Sequence, residues 1–420
     1  MRLQNLLCAA SIAMLSLGSC CNSSSTEQVA DKPTQPFPFV IPLEKPDFKL
    51  SASMERVYDN YGASRPQLNE LYTQFKYTML EGFDYNGGNG TITRRDPTRV
   101  IKVGDTYYVW YTLRKTPGAP VGAAKANDVI PSADWDLSDI GYATSKDGFT
   151  WEEQGVAVNR PESPQLGWRS VSTPEILVWQ GKYYLYFQAF SEMSGKRGDD
   201  CPVAMAEADS PDGPWTFINQ AVIPNGPEGT WDQYSIHDPL PIVFKDKIYL
   251  YYKSDYNGQP DLVRSQGLAV ADNPKGPFVK CDVNPVLSSG HETHFFRFKE
   301  GMAAISSRDG HEHNTIQYSE DGINFYQASV IDKFVPYAGG FYDPDAFTNR
   351  DYARGVTWGI SHFINFTPGA QYSILLRYDC DLSLDLDDPE MKNNHSWPSL
   401  DEVLKYGLSK KQKERIMQSM

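Results

Sequence analysis

Cysteine, histidine and positive charge are all scarce in this chain of 420 residues. Among its six cysteines no pair has CxxC or zinc-ligand spacing, which excludes a zinc module and a dithiol redox motif. Cys8, Cys20 and Cys21 crowd the N-terminus, while Cys201, Cys281 and Cys380 lie too far apart to read as a disulfide framework. Only 39 Lys and Arg stand against 53 Asp and Glu, a net charge of -14. Nucleic acid, anionic surfaces and highly sulfated polysaccharides all demand clustered cations, so none of them is expected as a partner. Long apolar runs are missing too, except from Leu6 to Leu17 behind Arg2, and that one is too short for a transmembrane helix.

That single run has the form of a secretory signal. It ends in Leu17-Gly18-Ser19-Cys20, which resembles the bacterial lipoprotein cleavage box and implies Cys20 as the lipidated residue. Residues 1–20 are therefore expected to be signal peptide and 21–50 a flexible tether rich in Ser, Thr, Gln and Pro. The mature protein is expected to be exported and held at a Gram-negative periplasmic or outer membrane only by its lipid.

What the sequence has in abundance is one repeated phrase. Arg94-Arg95-Asp96-Pro97-Thr98-Arg99-Val100-Ile101 leads through Gly104-Asp105 into Tyr107-Tyr108-Val109-Trp110-Tyr111. An acid-proline pair, an apolar run, a turn and an aromatic-rich run make a β-hairpin with a carboxylate at its mouth. The phrase returns as Thr173-Pro174-Glu175 with a turn at Gln180-Gly181, and as His237-Asp238-Pro239 with a turn at Lys245-Asp246. Weaker copies start at His291-Glu292-Thr293-His294 and at Tyr342-Asp343-Pro344-Asp345. Turn clusters such as Asp147-Gly148, Asp212-Gly213 and Asp321-Gly322 alternate with the hairpins. Such units bury their apolar faces only by stacking in a ring, so we expect an all-β, five-bladed β-propeller over residues 84–398.

Two segments fall outside that pattern. Residues 51–83 are expected to be helical, with Ser64 as N-cap, Pro66 in the first turn and an apolar stripe of Leu68, Leu71, Phe75 and Met79. Residues 399–420 are expected to close the chain with two short charged helices, 399–404 and 409–417.

The leading ends of the inner strands meet at one mouth of a propeller, which would gather Asp96, Glu175, Asp238, His291 with Glu292, and Asp343 or Asp345. Acids in so small a ring push one another's pKa apart, which is how a general acid is made. The run His291-Glu292-Thr293-His294 is one residue short of the HExxH zinc motif and lies on a predicted strand, where residues three apart face opposite ways. His311-Glu312-His313 does place two histidines on one face.

Arg95-Asp96-Pro97, Thr173-Pro174-Glu175, His237-Asp238-Pro239 and Gly290-His291-Glu292, in that order behind a helical segment, resemble glycoside hydrolase family 117. The resemblance spans about residues 50–400. It implies a five-bladed propeller that dimerises through its N-terminal helical segment and acts as an exo-α-1,3-(3,6-anhydro-L-galactosidase) on neoagaro-oligosaccharides. Under it Asp96 is the general base, Asp238 the second acid that orients the sugar, and His291 the general acid, with His294 the other histidine at hand. Glu175 and Glu292 would hold the substrate or support His291, and Arg95, Arg169 and His237 are further substrate contacts, with Arg94 a fourth candidate. A base and an acid about 6.5–9.5 Å apart give hydrolysis with inversion. No metal or organic cofactor is implied. Two other readings are carried forward: an arabinofuranosidase- or xylosidase-like propeller with Glu175 or Glu292 as proton donor, and a non-catalytic carbohydrate-binding lipoprotein.

Overall fold

The computed structural model describes residues 32–58, 69–196, 201–254, 264–288, 291–308, 310, 312–331, 335–348, 351–365, 369–392 and 410–419. The expected signal peptide and Cys20 lie outside the described residues, as do residues 21–31 and the C-terminal helix expected at 399–404. The rest of the expected tether is not one: Phe37, Phe48 and Leu50 are buried in a core cluster with Tyr184 and Trp231, and the Phe39 amide donates to the Gly229 carbonyl at 2.8 Å. The second C-terminal helix is present as Lys410–Ser419.

The hairpins form where the repeated phrase predicts them. In the first group β2 (Ile92–Arg95) and β3 (Ile101–Val103) both pair with β4 (Thr106–Lys115), followed by β5 (Ser138–Ser145) and β6 (Trp151–Val158). The second is β7 (Ser170–Trp179), β8 (Lys182–Phe190), β9 (Val203–Ala208) and β10 (Thr216–Ile223). The third is β11 (His237–Phe244), β12 (Lys247–Lys253), β13 (Gln266–Ala271) and β14 (Val279–Lys280). Next come β15 (His291–Lys299), β16 (Gly301–Arg308), β17 (Thr315–Ser319) and β18 (Tyr326–Val330). The last group holds β19 (Gly340–Phe341), β20 (Ala353–Asn365) and β21 (Tyr372–Ser383), and β20 touches β15 through Phe298↔Arg354 and Lys299↔Ala353.

Turn chemistry accounts for much of this local order. Gln180 and Gly181 have φ of 50° and 79°, and Lys245 and Asp246 of 50° and 58°, the left-handed pair that a two-residue hairpin turn requires. The Asp-Gly clusters are capped by their own carboxylates: Asp147 accepts from the Phe149 and Thr150 amides, and Asp321 from those of Ile323 and Asn324.

Five apolar clusters join the groups in a closed ring. Ile101 and Trp110 pack on Ile176 and Leu185, Leu177 and Tyr186 on Ile248 and Leu250, Ile242 and Tyr251 on Phe295 and Met302. Phe296 and Ile305 pack on Phe341 and Tyr378, and Trp358 and Ile360 return to Val109 and Tyr111 of the first group. This alternation of apolar faces around a ring is that of a β-propeller, and we read each strand group as one blade. A fully buried ring such as Trp110 or Tyr251 contributes up to about 3 kcal/mol. The first and last inner strands also bond directly, Val100 N–H to Phe341 O at 2.8 Å and Asp343 N–H to Val100 O at 2.9 Å.

The expectation for residues 51–83 needs correction. Helix α1 (Ala52–Tyr58) is present, but the predicted stripe does not continue it: Lys76–Met79 is a strand, β1, paired with β21. This N-terminal strand completes the last blade, and hydrogen bonding to β21 overrides the local helical spacing. The start of the expected helix, 59–68, lies outside the described residues. Glu312, from the His-Glu-His run, is buried beneath α1, accepting from Ser53 at 2.8 Å and from Arg56 at 2.6 Å. Among the described residues no group of three His, Cys, Asp or Glu is placed to hold a metal.

Candidate active site

Three inner strands carry an unusual backbone at the same place. Asp96, Thr173 and Asp238, each directly before a proline, have φ of 48°, 47° and 48°, and Glu292 on β15 has 60°. Left-handed backbone costs a non-glycine residue about 1–2 kcal/mol, so its recurrence marks a position that the ring holds in place. This alignment corrects the phase of the repeat. Thr173, not Glu175, is the counterpart of Asp96, and Glu292, not His291, takes that place in the fourth blade.

Asp96 is buried and heavily partnered. Arg95 donates Nε to its Oδ2 at 2.8 Å and Nη2 to Oδ1 at 3.2 Å. Thr173 donates its hydroxyl to Oδ2 at 3.2 Å from the next blade, and Thr112 lies at 3.5 Å. From the preceding blade, His362 Nδ1 sits 3.3 Å from both the Asp96 amide nitrogen and its Oδ1. Burial alone would raise this carboxyl, but the Arg95 guanidinium outweighs it and holds the pKa below the ordinary value. Arg95 stacks over Trp135 at 4.8 Å and lies 3.7 Å from Asp134, which is fully buried against Arg114 at 3.0 Å.

Glu292 and His291 complete the cluster. Glu292 is buried, and although burial pushes its carboxyl up, His291 and Arg95 bring it below the usual carboxylate range. Its Oε1 is 3.4 Å from His291 Nε2, and Arg264 Nη1 is 3.0 Å from His291 Nδ1. His291 keeps 23% of its side chain exposed, so one imidazole stands at the open side of an otherwise buried set of charges. His294 points elsewhere, with Nδ1 against the Gly339 carbonyl and Nε2 3.0 Å from the Pro336 carbonyl. Both of its nitrogens are therefore occupied by backbone oxygen.

The remaining expected residues divide into two sets. Asp238 is ion-paired with Lys253 at 2.9 Å and is partly exposed, while His237 is buried beside the Phe190 ring. Glu175, Arg94 and Arg169 are occupied away from the Asp96 cluster. Glu175 accepts from the Arg99 amide at 3.0 Å and its Nε at 3.1 Å, and lines a cavity of about 60 Å³ with Asp343 and His294. Burial outweighs Arg99 there and raises the Glu175 carboxyl. Arg169 is buried and held by Asp136 through two bonds of 2.7 Å, and Arg94 by Glu153 at 2.9 and 2.6 Å. Asp343 lies 3.4 Å from Arg99.

His362 escaped the sequence reading because it belongs to no motif. One signal was available: on β20 the alternating residues Trp358, Ile360 and His362 are all buried, so the histidine interrupts an apolar stripe. Chemically, the cluster offers an ionised, largely buried carboxylate at Asp96 and a part-exposed imidazole beside a second carboxylate. That set can accept a proton at one point and donate one at another.

Comparison with known proteins bears on which chemistry this is. The model of glycosyl hydrolases family 43 matches residues 90–263. A solved structure of Zg3597, a family 117 glycoside hydrolase produced by the marine bacterium Zobellia galactanivorans, is 55% identical. It covers 81% of this chain and 100% of that one, with a TM-score of 0.75. A second solved structure, of a glycoside hydrolase at 13% identity, reaches a TM-score of 0.51. It covers 73% of this chain and 92% of the other, and the two share the fold alone. No curated protein sequence matches.

Proposed function

The chain belongs to glycoside hydrolase family 117, and on that premise we propose that it removes terminal 3,6-anhydro-L-galactose from neoagaro-oligosaccharides by single displacement with inversion. The observation that carries this reading is the pairing of a buried, ionised Asp96 with a half-open His291 backed by Glu292. Asp96 would take a proton from the attacking water. His291 would give one to the leaving oxygen from Nε2, and Glu292 at 3.4 Å would stabilise the imidazole as it reloads. Asp238, held by Lys253, would orient the sugar.

The deciding experiment is hydrolysis of neoagarobiose by the wild type, Asp96→Asn and His291→Ala, with the anomer formed followed by NMR. Galactose and anhydrogalactose released with inversion, and lost in both variants, support the reading. Untouched neoagarobiose rules out the sugar, and retention of configuration rules out the mechanism.

The arabinofuranosidase- or xylosidase-like alternative needs a carboxylic acid as donor. Glu175 has the raised pKa of one, but its place beside Arg99 and the cavity with Asp343 removes it from Asp96. A wild type that cleaves arabinosides or xylosides while His291→Ala stays active would favour this second reading. We further propose export, lipidation at Cys20 and a homodimer. Cys20→Ser should release the protein from membranes, and light scattering should give twice the chain mass.

A further inference from the structure

Asp96 is held by groups from three blades, and His362 is the one whose chemistry is least accounted for. Its ring is fully buried on β20, and Nδ1 meets both the amide nitrogen and Oδ1 of Asp96 at 3.3 Å. The amide hydrogen can enter Nδ1 only if that nitrogen is bare, which puts the proton of a neutral ring on Nε2 and leaves the approach of Oδ1 to Nδ1 a contact without a hydrogen bond. Burial and the Arg95 guanidinium lower the ring's pKa and favour the same neutral form. Nε2 is buried and has no hydrogen-bond partner among the described residues.

The same device recurs one blade on. Thr173, the counterpart of Asp96, has its amide held at 2.7 Å by the Thr112 hydroxyl, which comes from the second strand of the preceding blade. His362 occupies the corresponding place on β20, two residues beyond Ile360, the partner of Gly340. In both cases the amide of the left-handed residue turns away from its own ladder and is taken by an acceptor on the second strand of the preceding blade.

We propose that His362 is a positioning residue of the reaction, an acceptor that fixes the backbone of Asp96 in its left-handed turn and thereby aims the carboxylate. This rests on the reading of Asp96 as the base. His362 acts through Asp96 and need not touch the sugar. The approach of water to the base is sensitive to small displacements, and an error of about 1 Å costs on the order of 100-fold in rate.

The test compares His362→Leu, His362→Asn and His362→Gln in the full chain, with kcat, KM and melting temperature measured on whichever glycoside the wild type cleaves. The Leu variant lacks an acceptor, whereas Asn places an oxygen near the Nδ1 position and Gln carries its amide one bond too far. Expected are a loss of about 100-fold in kcat for Leu with KM nearly unchanged, and recovery of most of it by Asn. Full activity in folded Leu protein, or equal losses in Leu and Asn, would overturn the proposal. If the Leu variant does not fold, Asn against Gln decides: Asn faster by tenfold or so supports it, and equal rates overturn it. Asp96→Asn is assayed alongside. If that variant is active, the base was misassigned and the function reading fails; if it is dead while His362→Leu is not, only the role of His362 fails.

Discussion

Thr173 reaches across a blade boundary to donate its hydroxyl to Asp96 at 3.2 Å, and the two residues share a left-handed φ of 47° and 48°. They are equivalent positions of adjacent repeats, one carrying the carboxylate and the other steadying it. A bond to a charged acceptor is worth about 1.5–3 kcal/mol. Thr173→Ala, which relieves rather than adds backbone strain, should therefore lower kcat/KM by at least about tenfold, and Thr173→Ser should restore it. Equal activity in the Ala and Ser variants would remove the hydroxyl from the account.

Glu175, the acid expected from the repeat to stand beside Asp96, instead ties the first blade to the second. Its Oε1 accepts from the Arg99 amide, the Arg99 Nε and the Ile176 amide. Glu175→Ala strands these donors in a buried setting and should cost about 3 kcal/mol, read by urea denaturation. Glu175→Gln keeps an acceptor oxygen and Asp343, 3.4 Å away, still faces the Arg99 guanidinium, so it should cost clearly less than Glu175→Ala. Neither change should move KM greatly; a large rise in KM with unchanged stability would restore Glu175 as a sugar contact.

The sequence made the hairpins legible because strand alternation and left-handed turn pairs are local properties. It also put Asp96 and Asp238 at the repeat position that has left-handed backbone, since each stands before a proline. The same rule, the residue before the proline, would have selected Thr173; chemical preference for an acid selected Glu175 and lost the phase by two residues. Where proline is absent, at Glu292, the phase was out by one. β1 was read as helix because its partner β21 lies at the other end of the chain, and no local spacing reports a strand completed from there. His362 and Arg99 act through contacts between blades, which only the closed ring reveals.

Asp96 should leave a mark on acid stability. Its folded pKa is depressed, so its contribution is present above the unfolded value of about 3.9 and is lost as pH falls through the folded pKa. Asp96→Asn leaves Arg95 buried without its nearest counter-charge and should destabilise by about 3 kcal/mol at pH 7. Below about pH 4 the gap between variant and wild type should begin to narrow, and it should close only once the pH has fallen through the depressed folded pKa, where the wild-type carboxyl is protonated as well. Melting temperatures from pH 3 to 7 provide the check, and a gap that stays constant across that range would mean that the Asp96 charge is not what stabilises the site.

Ring closure itself can be tested at one glycine. The inner strands of the first and last blades approach so closely that a Cβ on Gly340 would stand 1.8 Å from the Thr98 carbonyl oxygen. That oxygen is backbone and cannot swing aside, so Gly340→Ala must part the seam where Val100 bonds to Phe341 and Asp343. Asp96 lies two residues before Thr98 in the segment that joins β2 to β3, and its carboxylate would move with it. The variant should lose about 3 kcal/mol or more, and activity with it. Gly104→Ala is the control, since Gly104 has φ of 59° in a hairpin turn with nothing within 4 Å of an added Cβ. Backbone strain alone should cost this control about 1–2 kcal/mol and leave kcat unchanged. Equal losses in the two variants would mean that strain at individual turns, not contact between the first and last blades, limits the stability of the ring.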